Sequence, residues 1–567
     1  MSKSNKIFVN LSGYYPSDLK KAVLNFPAES FSVVTADGSE IFKGKCTRFG
    51  YDRASGDEVY IADFSALTTD GEYRISAGGE ISPKFSVGGN VNKKLFRDVM
   101  RAYYYLRCGM ELTPEHAGKF THAACHTANA VDWLDHNIEK DVSGGWHDAG
   151  DYGRYVTPGA VACAQLLYAY ILYPKAAGSL CMNIPESGGE CPYPKNSGSH
   201  KMNIPESGSK LPDWLAECRY ELDWLLKMQK PDGSVYHKAT TAQHARFVMP
   251  EHDREQMYLL PVSSMATADF AAVCALASRV YKPFDPDYSA ILLRAAEKTA
   301  VWLAKNPQFV GFMNPEGCGT GGYGEGGDKD NRFWAFAELY SATGKREYHQ
   351  AMQSYLVYDF SRTEMGVGSV GGLGALSYIL CENPDKNMEF DGAFREMFYS
   401  HARRVKWLSS RSGYSCALTE REYNWGSNMG LMKNAMVCAI ADTVCKTDEF
   451  RDTAKTQLDV LMGVNAVGVS YVTGNGEFAY SHPHLRPAFA DGIEECIPGM
   501  VSGGPNSHPA EREARQFIPE GTPPMKCYVD RMEFYSINEI TIYWNSPAAF
   551  TLAFLENDAL ACARSDK

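Results

Sequence analysis

The run Asn92-Lys93-Lys94-Leu95-Phe96-Arg97-Asp98-Val99-Met100-Arg101-Ala102-Tyr103-Tyr104-Tyr105-Leu106 is where the chain changes character. Leu95, Phe96, Val99, Met100 and Tyr103 recur at the spacing of one helix face, which predicts an amphipathic helix. Upstream, residues 6 to about 88 read as all-β: short apolar runs such as 21–26 and 31–35 are strand-like, with Asp37-Gly38 and Asp70-Gly71 placed as hairpin turns. Several short strands in that length suggest a small β-sandwich. Downstream, helical patterns (214–228, 267–281, 291–305, 333–343, 429–445, 548–555) alternate with long Gly/Pro-rich loops, which suggests a toroid of helix pairs. The expected organisation is therefore a β-sandwich over 1–90 and an all-α domain over 91–567.

Bulk properties agree with this division. A chain of 567 residues is too long for one ordinary core. The formal net charge of −12 argues against a nucleic-acid or anionic-membrane partner. No stretch of about 18 apolar residues marks a membrane span, and the opening Met1-Ser2-Lys3-Ser4-Asn5-Lys6 has no apolar signal core. That opening fits an intracellular protein or a mature form with an added start. Cys163, Cys274 and Cys438 lie in apolar helical patterns and read as buried thiols. Met182–Gly188 recurs at Met202–Gly208, the first copy lying in an insert flanked by Cys181 and Cys191, which invites but does not establish a disulfide.

Three segments carry chemistry. In Gly144-Gly145-Trp146-His147-Asp148-Ala149-Gly150-Asp151-Tyr152-Gly153-Arg154-Tyr155, two carboxylates three apart sit in a Gly-rich turn. Such a turn can aim both into one cavity, one as general base and the other orienting a water; an Asx-turn or helix cap is the competing reading. In the segment 528–545, Glu539 stands among Ile537, Ile540 and Ile542, surroundings that raise a carboxyl pKa as a general acid needs; a surface Glu after the capping residue Asn538 is the alternative. In Ser481-His482-Pro483-His484-Leu485-Arg486-Pro487, a proline-stiffened loop offers donors to sugar hydroxyls or to a carboxylate.

Together these segments resemble glycoside hydrolase family 9, the inverting cellulases, and the resemblance runs through nearly the whole chain. Val9–Pro16 looks like the start of that family's N-terminal immunoglobulin-like domain and Ala102–Gly109 like its first barrel helix; Asn203–Gly208, Asp232–Lys238 and Trp425-Gly426-Ser427-Asn428 match further signatures. The resemblance implies an immunoglobulin-like sandwich followed by an (α/α)6 barrel of six helical hairpins. It implies endo-acting hydrolysis of β-1,4-glucan, with Asp151 as base, Asp148 holding the water and Glu539 as acid. His484 and Arg486 match the substrate-contacting His-x-Arg; Leu485 replaces a frequent His. Trp425, Trp334, Tyr236 and His237 are candidates for the glucan cleft, with core packing the alternative for each. A secreted monomer is the family habit. Exo action releasing glucose, cellobiose or glucosamine is the alternative within the family, and a binding protein without turnover is disfavoured because Asp151 and Glu539 are both present.

Cys108, Cys125, His126 and His147 are a zinc set by ligand type, though not by spacing; they coincide with a structural zinc site in relatives of this kind. The Gly-rich acidic loop 321–331 is a weaker calcium candidate through Asp328 and Asp330, because Asn331 and Lys329 depart from the family pattern. The sandwich, which precedes the first tryptophan (Trp133), is expected to brace the barrel rather than to bind sugar.

Overall fold

The computed structural model describes residues 5–180, 204–206 and 211–565. The insert carrying Cys181 and Cys191 lies outside the described residues.

Eight strands form the N-terminal unit: β1 Ile7–Phe8, β2 Lys21–Leu24, β3 Ser30–Val34, β4 Glu40–Asp52, β5 Asp57–Asp63, β6 Gly71–Ala77, β7 Glu80–Ile81 and β8 Phe85–Val87. Their order is β1-β2-β5-β4-β3-β6-β7, with β8 on β6. The long β4 joins the two layers. Its first half pairs with β3 and its second half with β5, the change falling between Lys45 and Cys46, and a register shift between Arg48 and Gly50 marks a bulge within the β5 pairing. Tyr14, Phe31, Val33, Phe64, Ile75 and Phe85 fill the space between the layers. Asp37-Gly38 closes the β3–β4 hairpin as expected. Asp70-Gly71 does not make a hairpin: β5 pairs with β2 and β4, whereas β6 pairs with β3, β7 and β8, so this turn crosses between layers.

Among the described residues, six helices form the inner ring of the second unit: Val156–Leu172, Ser264–Tyr281, Lys329–Thr343, Gly371–Leu380, Ser427–Cys445 and Ile542–Ser565. Six more lie outside them: Lys93–Tyr105, Asp213–Met228, Pro286–Lys305, Arg346–Ser354, Met388–Ser410 and Arg451–Leu461. The last inner helix packs on the first, which closes the ring. The sequence explains the split. Ser264–Tyr281 is apolar or small on all sides and buries nearly every residue, whereas Pro286–Lys305 buries one stripe through Tyr288, Leu292, Ala295, Ala296, Thr299 and Leu303. Ser263 and Asp285 cap these two helices through Ala266 N and Tyr288 N.

The two units share a polar, buried seam. Asn10 Nδ2 donates to Asp459 at 2.6 Å, Gly413 N to Asp52 at 2.7 Å, and Tyr414 OH to Asp57 at 2.9 Å. Lys455, itself buried, reaches Asp18 at 3.4 Å and also binds Asp459. Each buried charge is met by a partner from the other unit, as burial demands. These bonds tie the sandwich to the helical unit.

Candidate active site

Three separate segments are laced together by main-chain bonds at one end of the helical ring. The loop after the first outer helix is anchored by Cys108 N to Gly145 O (2.8 Å) and His147 N to Leu106 O (2.7 Å). Asp148 O then accepts from Ile542 N at 2.8 Å, and Gly150 O accepts from Arg486 N at 3.2 Å and from Arg486 Nη1 at 2.7 Å. His484 pairs with Glu539 in a parallel bridge, its amide donating to Asn538 O at 2.9 Å. Glycine is required at 150 because a Cβ there would sit 1.8 Å from His484 O. The backbone thus delivers Asp148, Asp151 and Glu539 to one cavity of about 470 Å³, which also takes in His244, Tyr323 and Trp425.

The carboxyls of this cavity are held in opposite states. Burial pushes Asp151 up, but the hydrogen bond from His244 Nδ1 (3.1 Å), the charges of His244 and Arg486 and the Gly153 amide (3.2 Å) together bring it down to about 2. Glu539 is driven well above the usual carboxylate range, first by burial and then by the charges of Asp151 and Asp148; one donor, Trp425 Nε1 at 3.1 Å, opposes this. Asp148 is also raised by burial, against a 2.5 Å hydrogen bond from Tyr323 OH. An ionised carboxylate and a protonated one facing a single cavity are the pair an acid–base hydrolysis uses.

The family model of glycosyl hydrolase family 9 matches residues 93–552. The chain belongs to glycosyl hydrolase family 9. The model of the cellulase N-terminal ig-like domain matches residues 2–82 of this family 9 enzyme. A cellodextrinase of Butyrivibrio fibrisolvens is 43% identical over 97% of this chain and 99% of its own length. Endoglucanase D of Acetivibrio thermocellus is 32% identical over 98% of this chain and 84% of its own. A single mutant thermostable endoglucanase from Alicyclobacillus acidocaldarius superposes with a TM-score of 0.88 at 31% identity, covering 98% of this chain and 100% of the other. This protein is accordingly a glycoside hydrolase.

Not every residue expected in the cleft of this family 9 enzyme reaches it. Trp425 does, and is 45% exposed beside Glu539. Trp334 is fully buried in an inner helix, its indole N–H on Glu338 at 3.2 Å. Tyr236 is buried with its hydroxyl on Asp132 at 2.8 Å. His237 lies behind the cleft wall, stacked on Phe312 and bonded through Nε2 to Gly322 O at 2.8 Å; it holds the loop that presents Tyr323. Arg486 is buried, with Nε on Ala245 O (2.8 Å) and Nη1 on Gly150 O, so it clamps the loop that carries Asp151. His484 directs Nδ1 to Met532 O at 2.8 Å. His244 and Tyr323 belong to the site although neither stood in a recognisable motif; the only local sign was a lone Tyr within the Gly-rich run 321–327.

Cys108, Cys125, His126 and His147 converge, their donor atoms all within 4.8 Å of one another. His126 Nδ1 and His147 Nε2 are buried with no hydrogen-bond partner, and His126 is held at a φ of 48°. Two imidazole nitrogens aimed at two thiols fit a tetrahedral zinc ion. The residues expected for calcium are in part engaged by the protein itself. Asp328 is bound in a fully buried ion pair to Arg332 at 2.7 Å, and Asp330 accepts from Val370 N at 3.0 Å. The other carboxylate oxygen of Asp328, Oδ1, is buried without a hydrogen-bond partner, as are Glu325 Oε1 and Asn331 Oδ1 of the same loop.

Proposed function

We propose that this enzyme hydrolyses β-1,4-glucosidic bonds by single displacement with inversion. Asp151 takes a proton from the attacking water, Asp148 and Tyr323 orient that water, and Glu539 protonates the departing glycosidic oxygen. Trp425 supplies a ring face beside the acid for a pyranose. The observation that carries this reading is the split between Asp151, held at about 2, and Glu539, held well above the usual range, across one cavity. A polymeric glucan as substrate goes with secretion. We further propose that Cys108, Cys125, His126 and His147 hold a zinc ion, which would brace the base loop and leave no open position for the substrate.

Endo action on cellulose is one form of this activity. The 43% identity to a cellodextrinase over almost its whole length favours a second, cleavage of short soluble cello-oligosaccharides. Proton NMR of fresh product from cello-oligosaccharides, with viscometry of carboxymethylcellulose alongside, tests both. New α-anomer is expected. A rapid viscosity drop assigns endo action, and α-anomer with almost no viscosity loss assigns action on short chains. New β-anomer would overturn the roles given to Asp151 and Glu539.

A further inference from the structure

We propose that Asp253 is a positioning residue of the zinc centre and that through it the metal holds a second arm of the active site, the loop 241–256. The inference rests on the zinc reading above. Asp253 Oδ2 meets His126 Nε2 at 3.2 Å, and the two side chains are only 3% and 2% exposed. The opposite ring nitrogen, Nδ1, is the one without a protein partner. A carboxylate on the far nitrogen of a metal-bound imidazole fixes its tautomer and orientation and raises its basicity, which sharpens metal binding. Asp253 is therefore placed to act on the metal without touching it.

The same loop runs from Asp253 back to the catalytic base. Val248 O accepts from Tyr152 OH at 2.5 Å, Ala245 O accepts from Arg486 Nε at 2.8 Å, and His244 Nδ1 reaches Asp151 Oδ2 at 3.1 Å. The four zinc residues already anchor one wall of the cavity, since His147 adjoins Asp148. Asp253 extends their hold to the facing wall, which carries His244. Two loops distant in sequence, 144–153 and 241–256, thus share one fastening point.

The test uses the full chain, its Asp253→Ala and Asp253→Asn variants, and zinc alone as the probe. Zinc affinity is read by competition with a chromophoric chelator. Loop release is read by the rate of tryptic cleavage after Arg246 and Arg254, both exposed within the loop. Asp253→Ala should weaken zinc about 10–100-fold, and Asp253→Asn, which still accepts an N–H through Oδ1, should fall between. Stripping zinc from the wild type should speed cleavage of the loop about fivefold or more, within the usual range of coupling between two sites. Stripping zinc from Asp253→Ala should add little, because the link is already cut; a merely structural Asp253 would leave the two effects additive. Wild-type zinc affinity in Asp253→Ala with its thermal unfolding unchanged would overturn the proposal, as would a loop whose cleavage ignores the metal. A wild-type protein that binds no zinc at all would overturn the zinc reading itself and this inference with it.

Discussion

The loop that bears Asp151 and the segment that bears Glu539 border the same cavity and are joined by the same main-chain bonds, yet they treat a carboxyl in opposite ways. Around Asp151 the donors gather: His244 Nδ1, the Gly153 amide and, at 3.4 Å, the Tyr155 hydroxyl. Around Glu539 there is one indole N–H and two other carboxyls, and the charge of Arg486 acts on both groups alike in direction. Burial alone would have protonated both. The difference shows that the donors and charges around each group, not depth in the protein, set which carboxyl is ionised.

The sharpest break in this comparison removes one carboxyl at a time. Asp151→Asn and Glu539→Gln should each lower kcat on cello-oligosaccharides about 10²–10⁴-fold. They should part company on an aryl cellooligoside whose leaving group needs no proton, where Glu539→Gln regains most of its rate and Asp151→Asn regains none. Equal recovery of both would overturn the assignment. A smaller effect is expected from Trp425→Ala, about tenfold in kcat/KM for the lost ring face. A hydrogen bond to the ionised form favours ionisation, so losing it raises Glu539 further. Activity needs Glu539 protonated and fails as pH rises through its pKa, so the alkaline limb should move to higher pH.

Smaller again is His244→Ala, which tests the other side. Removing a donor and a positive charge raises Asp151 from about 2. Activity needs Asp151 ionised and fails as pH falls through its pKa, so the acid limb of the kcat profile should move toward neutral while the alkaline limb stays put. A shift of both limbs, or of neither, would contradict the division of donors described here. Asp57→Ala supplies the control outside both regions. It strands Tyr414 and Lys526 at the seam between the units and should cost about 1–3 kcal/mol of stability, seen as a lower Tm in calorimetry with both limbs of the pH profile unmoved.

The architecture was legible because period and composition are local. The helix foreseen over 214–228 is observed as Asp213–Met228, and that over 429–445 as Ser427–Cys445. Asp148, Asp151 and Glu539 were legible as residue types in two motifs. Trp334 and Tyr236 misled because an aromatic residue looks alike in a cleft and in a core. For Trp334 the sequence held the warning: Phe333-Trp334-Ala335-Phe336-Ala337 is apolar for more than a full turn, so within it every direction faces packing. His244 was not legible, since its meeting with Asp151 depends on a loop that returns 93 positions later. The acidity of the loop 321–331 was legible, but not that one carboxylate oxygen of Asp328 would be bound by Arg332, one helical turn on.

The seam between the units also bears on how the chain is made. Tyr15, near the start of the sandwich, bonds Glu556 in the last inner helix, and Arg451 joins Asp18 to Asp558 in that same helix. On the ribosome the sandwich strands emerge first, and the partners of Tyr15 and Asp18 emerge only 541 and 433 positions later. The buried acids of the early unit therefore spend most of synthesis in water, and the helix that covers them is also the one whose Ile542 binds Asp148 O. A nascent chain broken off before residue 542 would lack the strut of the base loop and the cover of the sandwich together, so quality control and catalysis would fail at one and the same step.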